Sequence, residues 1–171
     1  MASDHVIRAN AAMTELHYFE RGSEPRDLAG LTIANDLCFV VQRANRIISR
    51  GSDTALRSTG LTTEQTLLLS AIAQAGSVRA AELSRDLVVD ATTITANLKP
   101  LIREGWICTS VDVNDGRARR ISLTKAGIER LEMAIKHLQQ YERALTERIG
   151  GETNRHAVCD TLDKVAIAGR L

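Results

Sequence analysis

The sequence predicts a mainly α-helical fold that carries one small β-hairpin, and three observations predict it. Apolar residues recur at helical spacing over most of residues 32–168, β-branched residues cluster around 106–123, and the turn string Asn114-Asp115-Gly116 falls inside that cluster. The order of these parts, helix, tight turn, helix and then hairpin, is that of a winged helix-turn-helix with added helices at both ends.

Taken in order, residues 1–30 mix charges and small residues without sustained periodicity, and read as an arm or as a short extra helix around Ala9–Phe19. From Thr32 to Arg50, Ile33, Leu37, Val40, Val41, Ala44, Ile47 and Ile48 make a broad apolar face, with Gly51 after the last turn. Ser52–Gly60 is a connection, with a helical turn near Ala55 and Leu56. Thr62 stands three residues before Gln65, a capping box that opens a helix to Gln74, with Leu67, Leu68, Ala71 and Ile72 toward the core. Ser77 and Val78 add a short strand. A third helix covers Arg79–Leu87 and buries Ala80, Leu83 and Leu87.

After the break Val88–Asp90 comes DATTITANLKPLIREGW. Asp90 can accept from the unpaired amides of the first turn, Gly105 can take the left-handed conformation that ends a helix, and Ile94, Leu98, Leu101 and Ile102 form one apolar stripe. The opposite face, Thr92, Thr93, Ala96, Lys99 and Arg103, is small, polar and basic. Trp106–Asp112 and Arg119–Leu123 then flank an arginine-bearing turn, which makes a β-hairpin. Thr124 caps a long helix to about Ile149 whose seam is Ile128, Leu131, Ile135, Leu138, Leu145 and Ile149. Gly150-Gly151 breaks it, and Thr153–Ala168 carries a weaker stripe of Ala157, Val158, Leu162, Val165 and Ala166. The first, long and last helices are expected to build a dimer interface.

Composition narrows the function. Of 171 residues 44% are hydrophobic, 25% charged and only 3% aromatic, so the core is aliphatic. Phe19, Phe39, Trp106, Tyr18 and Tyr141 are too scattered to stack single-stranded bases. With a net charge of +1, positive potential must be local, and Arg117, Arg119, Arg120 and Lys125 face a single acid between Asp115 and Lys125. No stretch of about 18 apolar residues and no basic-then-apolar leader occurs, which gives the expectation of a cytoplasmic protein without a membrane partner. Cys38, Cys108 and Cys159, like the four histidines, share no metal-ligand spacing, so neither a disulfide framework nor a metal or cofactor is expected. No phosphate loop, zinc-protease motif or nucleophile elbow is present, and the expectation is a protein that is not an enzyme.

Three strings, AELSRDL, DATTITANLKPLIREGW and DGRARRISLTKAG, stand in the order and separation of the MarR family (multiple antibiotic resistance regulators), which the chain resembles from about Ile33 to Leu171. The resemblance implies a winged-helix lobe at 61–123 and a helical dimerisation region formed by 31–60 and 124–171, and leaves 1–30 as an N-terminal arm or extra helix. It implies a homodimeric regulator, a repressor, on a pseudo-palindromic double-stranded operator, with each recognition helix in a major groove and each wing in a minor groove. It also implies release by a small aromatic or phenolic molecule bound between the dimerisation helices and the lobe. On this resemblance Arg117 reads the minor groove, Asp115 orients it, and Arg119 belongs to the same basic tip. Ala91, Thr92, Thr93, Thr95, Ala96 and Lys99 face the major groove, with Lys99 on phosphate.

The chain departs from the family at Ala91 and Ala96, where many relatives carry arginines, at Val88, where the turn often holds Gly, and in having Pro100 within the recognition helix. Cys38, in Leu-Cys-Phe, resembles the organic hydroperoxide resistance regulators, whose sensing cysteine must be a thiolate, and pairing with Cys159 across the dimer is one form of that alternative. Gln42 stands where that branch has a tyrosine, and otherwise Cys38 is a small core residue. A further alternative is a winged-helix interaction module without specific DNA binding, favoured by Ala91, Ala96 and the near-neutral charge.

Overall fold

A computed structural model describes Asp36–Gly169; the expected arm or helix within 1–30 lies outside the described residues. Of the two units into which the chain divides, Met1–Val40 and Val41–Leu171, the first contributes only Asp36–Val40 to this description. The elements are α1 (Leu37–Leu56), a 3₁₀ turn (Arg57–Thr59), α2 (Thr63–Ala75), β1 (Val78–Arg79), α3 (Ala80–Asp86), α4 (Ala91–Arg103), β2 (Ile107–Val111), β3 (Arg119–Leu123), α5 (Lys125–Arg148) and α6 (Glu152–Ala168). The three strands form one antiparallel sheet in the order β1-β3-β2. The fold is the expected one, mainly helical with a hairpin wing.

α1 does not end before Gly51 but runs through it to Leu56, and Gly60, at φ 71°, closes the following 3₁₀ turn. Gly51 is a packing residue: a Cβ there would run into the ring and hydroxyl of Tyr141. That hydroxyl donates to the Ile48 carbonyl at 3.3 Å, so the glycine lets α5 lie close against α1. The apolar face of α1 is open on the described chain, Ile47 being 57% and Ile48 42% exposed.

The capping box of α2 forms as predicted, with Gln65 N donating to Thr62 Oγ1 and Thr62 N to Gln65 Oε1. Its inward face is shifted by one position: Leu67 is exposed, and Leu69 takes a place in the core beside Leu68 and Ile72. The core joins these to Leu56, Leu61, Val78, Leu83, Ile94, Leu98, Leu101, Ile107, Ile121 and Leu131, and is aliphatic throughout. Each such fully buried side chain contributes about 1.5 to 3 kcal/mol. Ile102 is not among them. It is 47% exposed, so the stripe of α4 narrows to Ile94, Leu98 and Leu101.

The turn between α3 and α4 keeps its left-handed residue although the residue is valine. Val88 sits at φ 54°, the one non-glycine at positive φ among the described residues, and its side chain is largely exposed. Bonds on either side hold it there, from Val88 N to Arg85 O, from Val89 N to Ser84 O, and from Ser84 Oγ to Val89 O. A β-branched residue in this region costs about 1 to 2 kcal/mol, against about 0.5 to 1 for the added freedom of a glycine. Val88→Gly is therefore expected to raise stability by about 1 kcal/mol. A urea midpoint that does not rise would show that the valine is not strained.

Two close approaches fix the long helix to the end of α4. Thr124 caps α5 by accepting from Gly127 N at 3.1 Å, and its hydroxyl lies 2.7 Å from the Gly105 carbonyl. Gly127 is buried against the Trp106 carbonyl, which a Cβ would penetrate. Gly150 and Gly151, both at positive φ, end α5 as expected. α6 follows with no buried residue.

Candidate nucleic-acid interface

α4 begins at Asp90, whose carboxylate accepts from Thr93 N at 2.8 Å and from the Thr93 hydroxyl at 2.6 Å. These bonds, the hydroxyl's first, lower the Asp90 pKa from its ordinary value. The consequence for Thr93 is that its hydrogen is committed to the cap, and the residue is half-buried, lining a crevice with Leu67, Leu68, Leu87 and Val89. It does not stand on the open outer face where the sequence reading set it. Ala91, Thr92, Thr95, Ala96 and Lys99 do stand there, all exposed. Thr95 Oγ1 donates back to Ala91 O at 2.7 Å, which leaves its methyl and lone pairs outward. The helix continues through Pro100 to Arg103 without a break.

The wing hairpin pairs Ile107 with Leu123 through to Val111 with Arg119. Beyond that pair Asp112 N reaches Ala118 O at 3.1 Å, and Ala118 N reaches Asp115 O at 2.8 Å. The Asp115 carboxylate accepts the backbone amide of Arg117 at 3.1 Å, so it shapes the loop; no ion pair joins these two side chains among the described residues. Gly116 is not at positive φ, and the turn is built on aspartate side chains rather than on glycine's freedom. Arg117 and Arg119 are exposed at the tip.

Arg120 departs from the expected basic cluster. Its guanidinium is turned to the base of the wing, where Nη1 lies 3.2 Å from Asp112 Oδ2, Nε donates to Ser77 Oγ at 2.9 Å, and Nη2 donates to the Ser77 carbonyl. Arg79 Nε reaches the same Asp112 oxygen at 2.9 Å. Asp112 is the group that sequence reasoning missed. Its side chain is 1% exposed, and its Oδ1 accepts Asn114 N at 2.8 Å. The available signal was an acid at the end of one hairpin strand facing Arg119-Arg120 on the other.

Asp112 is held far below the usual carboxylate range, first by the Arg79 hydrogen bond, then by the Asn114 amide and Arg120, against the opposing effect of burial. A depressed folded-state pKa contributes stability that is complete above about pH 4, where a free carboxyl titrates, and is lost as pH falls below it. Glu82 and Asp115 act on Arg79 in the same cluster. Thermal melts from pH 7 to pH 3 are expected to fall more steeply for the wild type than for Asp112→Asn, which starts lower. Parallel curves would separate Asp112 from acid unfolding.

Cys38 lies in the first turn of α1 and is exposed, which corrects the expectation of a core residue. Its amide donates to the Asp36 carboxylate at 3.0 Å, as does that of Phe39 at 3.3 Å, so Asp36 caps the start of the helix. No helix among the described residues is long and apolar enough to cross a membrane.

A capped helix with an open polar face, braced by a second helix across a tight turn and followed by a hairpin with an arginine tip, defines a winged-helix DNA-binding protein. A family model for a winged helix DNA-binding domain matches residues 61–127. The M. tuberculosis transcriptional regulator MosR, solved in complex with DNA, is 30% identical, with 79% of this chain and 98% of that one covered and a TM-score of 0.66. Apo MarR from E. coli is 25% identical over 75% of this chain and 95% of its own, with a TM-score of 0.64. The transcriptional activatory protein BadR of Rhodopseudomonas palustris is 28% identical over 102 residues, and the match spans 58% of each protein. The chain belongs to the MarR family of winged-helix transcriptional regulators.

Proposed function

We propose that this protein is a homodimeric transcriptional repressor in the cytoplasm that binds a pseudo-palindromic operator and leaves it when a small aromatic or phenolic molecule binds. The observation that carries the reading is the exposed face of α4, where Thr92, Thr95, Ala96 and Lys99 project from a helix whose start is fixed by Asp90. Ala91 and Ala96 leave room for thymine methyls and for close approach of the helix to the duplex, while Lys99 meets phosphate. Arg117, carried at the tip of the hairpin, enters the minor groove and reads its width, and Arg119 meets the adjoining backbone. Thr93 serves by fixing Asp90 and hence the angle of the first turn.

The dimerisation region comprises 31–60 and 124–171, and 61–123 is the DNA-binding lobe. Support for the dimer comes from apolar side chains left open on the described chain, namely Ile47, Ile48, Ile149, Val158 and Leu162. Support for an effector site comes from an open cleft of about 670 Å³ where the 3₁₀ turn, α2, the end of α4 and the start of α5 meet. Arg57, Arg103, Glu104 and Trp106 line it, Arg103 being paired with Glu104, and the Arg130 guanidinium lies 4.9 Å from the Trp106 ring centroid. Such a surface suits a flat ring bearing a negative charge.

Fluorescence anisotropy on DNA from the protein's own upstream region and on scrambled DNA, across a salt series, tests the reading. A clear, salt-dependent preference for one duplex is expected. Equal, weak binding to every duplex, including those from a genome-wide selection, would replace the regulator with an interaction module. Transcription from the selected promoter decides the sign, since BadR is named an activator. Loss of DNA binding after mild peroxide, reversed by thiol reductant and absent in Cys38→Ser, would mark the sensing alternative.

A further inference from the structure

We propose that Asp112 is a positioning residue for DNA binding: a buried carboxylate that locks the wing to the helix-turn-helix and thereby sets where Arg117 stands. This rests on the reading of the wing as a DNA contact. The carboxylate joins three parts of the lobe. Arg79 belongs to β1 and leads directly into α3, where its own amide is held by Glu82 Oε2 at 2.8 Å. Arg120 belongs to β3 and is fastened again to Ser77. Asn114, held through its amide, opens the loop that ends in Arg117.

The rest of the attachment is slight. β1 pairs with β3 through only Val78↔Ile121 and Arg79↔Arg120, and a two-stranded hairpin alone is marginal in water. The hairpin's outer strand is open along most of its length, with Cys108, Thr109, Ser110 and Val111 exposed. Against so few ladder bonds, a carboxylate with one oxygen shared by arginines of two other strands and the other holding the Asn114 amide decides the wing's angle. Both arginines are about one-third exposed and keep their stems on the lobe, so the cluster clamps the base of the wing while leaving its tip in solvent. Asp112 itself cannot reach DNA, being enclosed. Its effect on affinity passes through Arg117.

A double-mutant cycle separates this from ordinary destabilisation. Wild type, Asp112→Asn, Arg117→Ala and the double variant are compared by anisotropy on the selected operator across a salt series, below their melting temperatures. Arg117→Ala is expected to cost about tenfold in affinity, Asp112→Asn several-fold with a lowered salt slope, and the double variant no more than Arg117→Ala alone. Hydrogen exchange of the amides at 113–118 is expected to quicken in Asp112→Asn while those of α4 hold. Should Asp112→Asn fail to fold, Arg120→Gln, which leaves Arg79 on Asp112, is expected to move affinity and exchange the same way. Additive losses, or wild-type affinity in Asp112→Asn, overturn the proposal. If Arg117→Ala binds like wild type, the wing's role on DNA falls instead, and unchanged exchange at 113–118 then overturns the clamp as well.

Discussion

Leu162→Glu in α6 is expected to turn the proposed dimer into a monomer and to remove operator binding, a loss of more than about a hundredfold. Leu162 and Val158, one turn apart, are 45% and 50% exposed in the chain described here, and they line a shallow apolar concavity with Ile149 and Ala157. A carboxylate buried in such a seam without a partner costs several kcal/mol, which a dimer of ordinary affinity does not survive. Because α6 has no buried residue within the described chain, the monomer should keep its helical circular dichroism. Light scattering at micromolar concentration reads the mass, and anisotropy reads the DNA. A variant that stays dimeric would move the interface away from α6.

Arg117→Ala carries the next largest expected effect. Arg117 is exposed at the end of the hairpin with its backbone amide fixed by Asp115, so its removal leaves the loop in place and takes only the guanidinium. Affinity should fall by about 1 to 3 kcal/mol on all sequences, most where the flanking minor groove is narrow, and the salt slope should drop by about one. Thr92→Ala, in contrast, should act at one or two base positions with the slope unchanged. A loss for Arg117→Ala confined to one base pair would mean that the wing reads base edges and not groove shape.

The parts of this fold written in short-range chemistry were legible. The Thr62–Gln65 box, the Asp90 and Thr124 caps, the Gly105 stop and the Gly150-Gly151 break each involve partners within a few residues, and each forms where expected. What the sequence concealed depends on neighbours distant along the chain. Gly51 reads as a stop until Tyr141 is seen lying on it. Leu67 and Leu69 exchange roles because α2 is packed on more than one side, so a single stripe does not describe it. The interface was legible in the same uneven way. The exposed run on α4 follows from its periodicity, whereas Thr93 is drawn inward by the cap it helps to make. Arg120 is one of two adjacent arginines, and strand alternation sends them to different sides; only a partner as remote as Ser77 shows which one is spent on the fold.

The tight seat of Gly127 on the Trp106 carbonyl makes α5 a lever with its fulcrum at the foot of the recognition helix. With 24 residues, α5 is roughly 36 Å long, so a tilt of about 5° there sweeps its far end through ~3 Å. Run in reverse, a shift of that size near Ile149 in the seam of the proposed dimer would re-aim α4 by a few degrees. Two α4 helices turned oppositely in that dimer would then lose phase with a duplex whose base pairs are spaced about 3.4 Å apart. A bulkier residue at 127 would drive α5 off the Trp106 carbonyl, and the fulcrum would be lost.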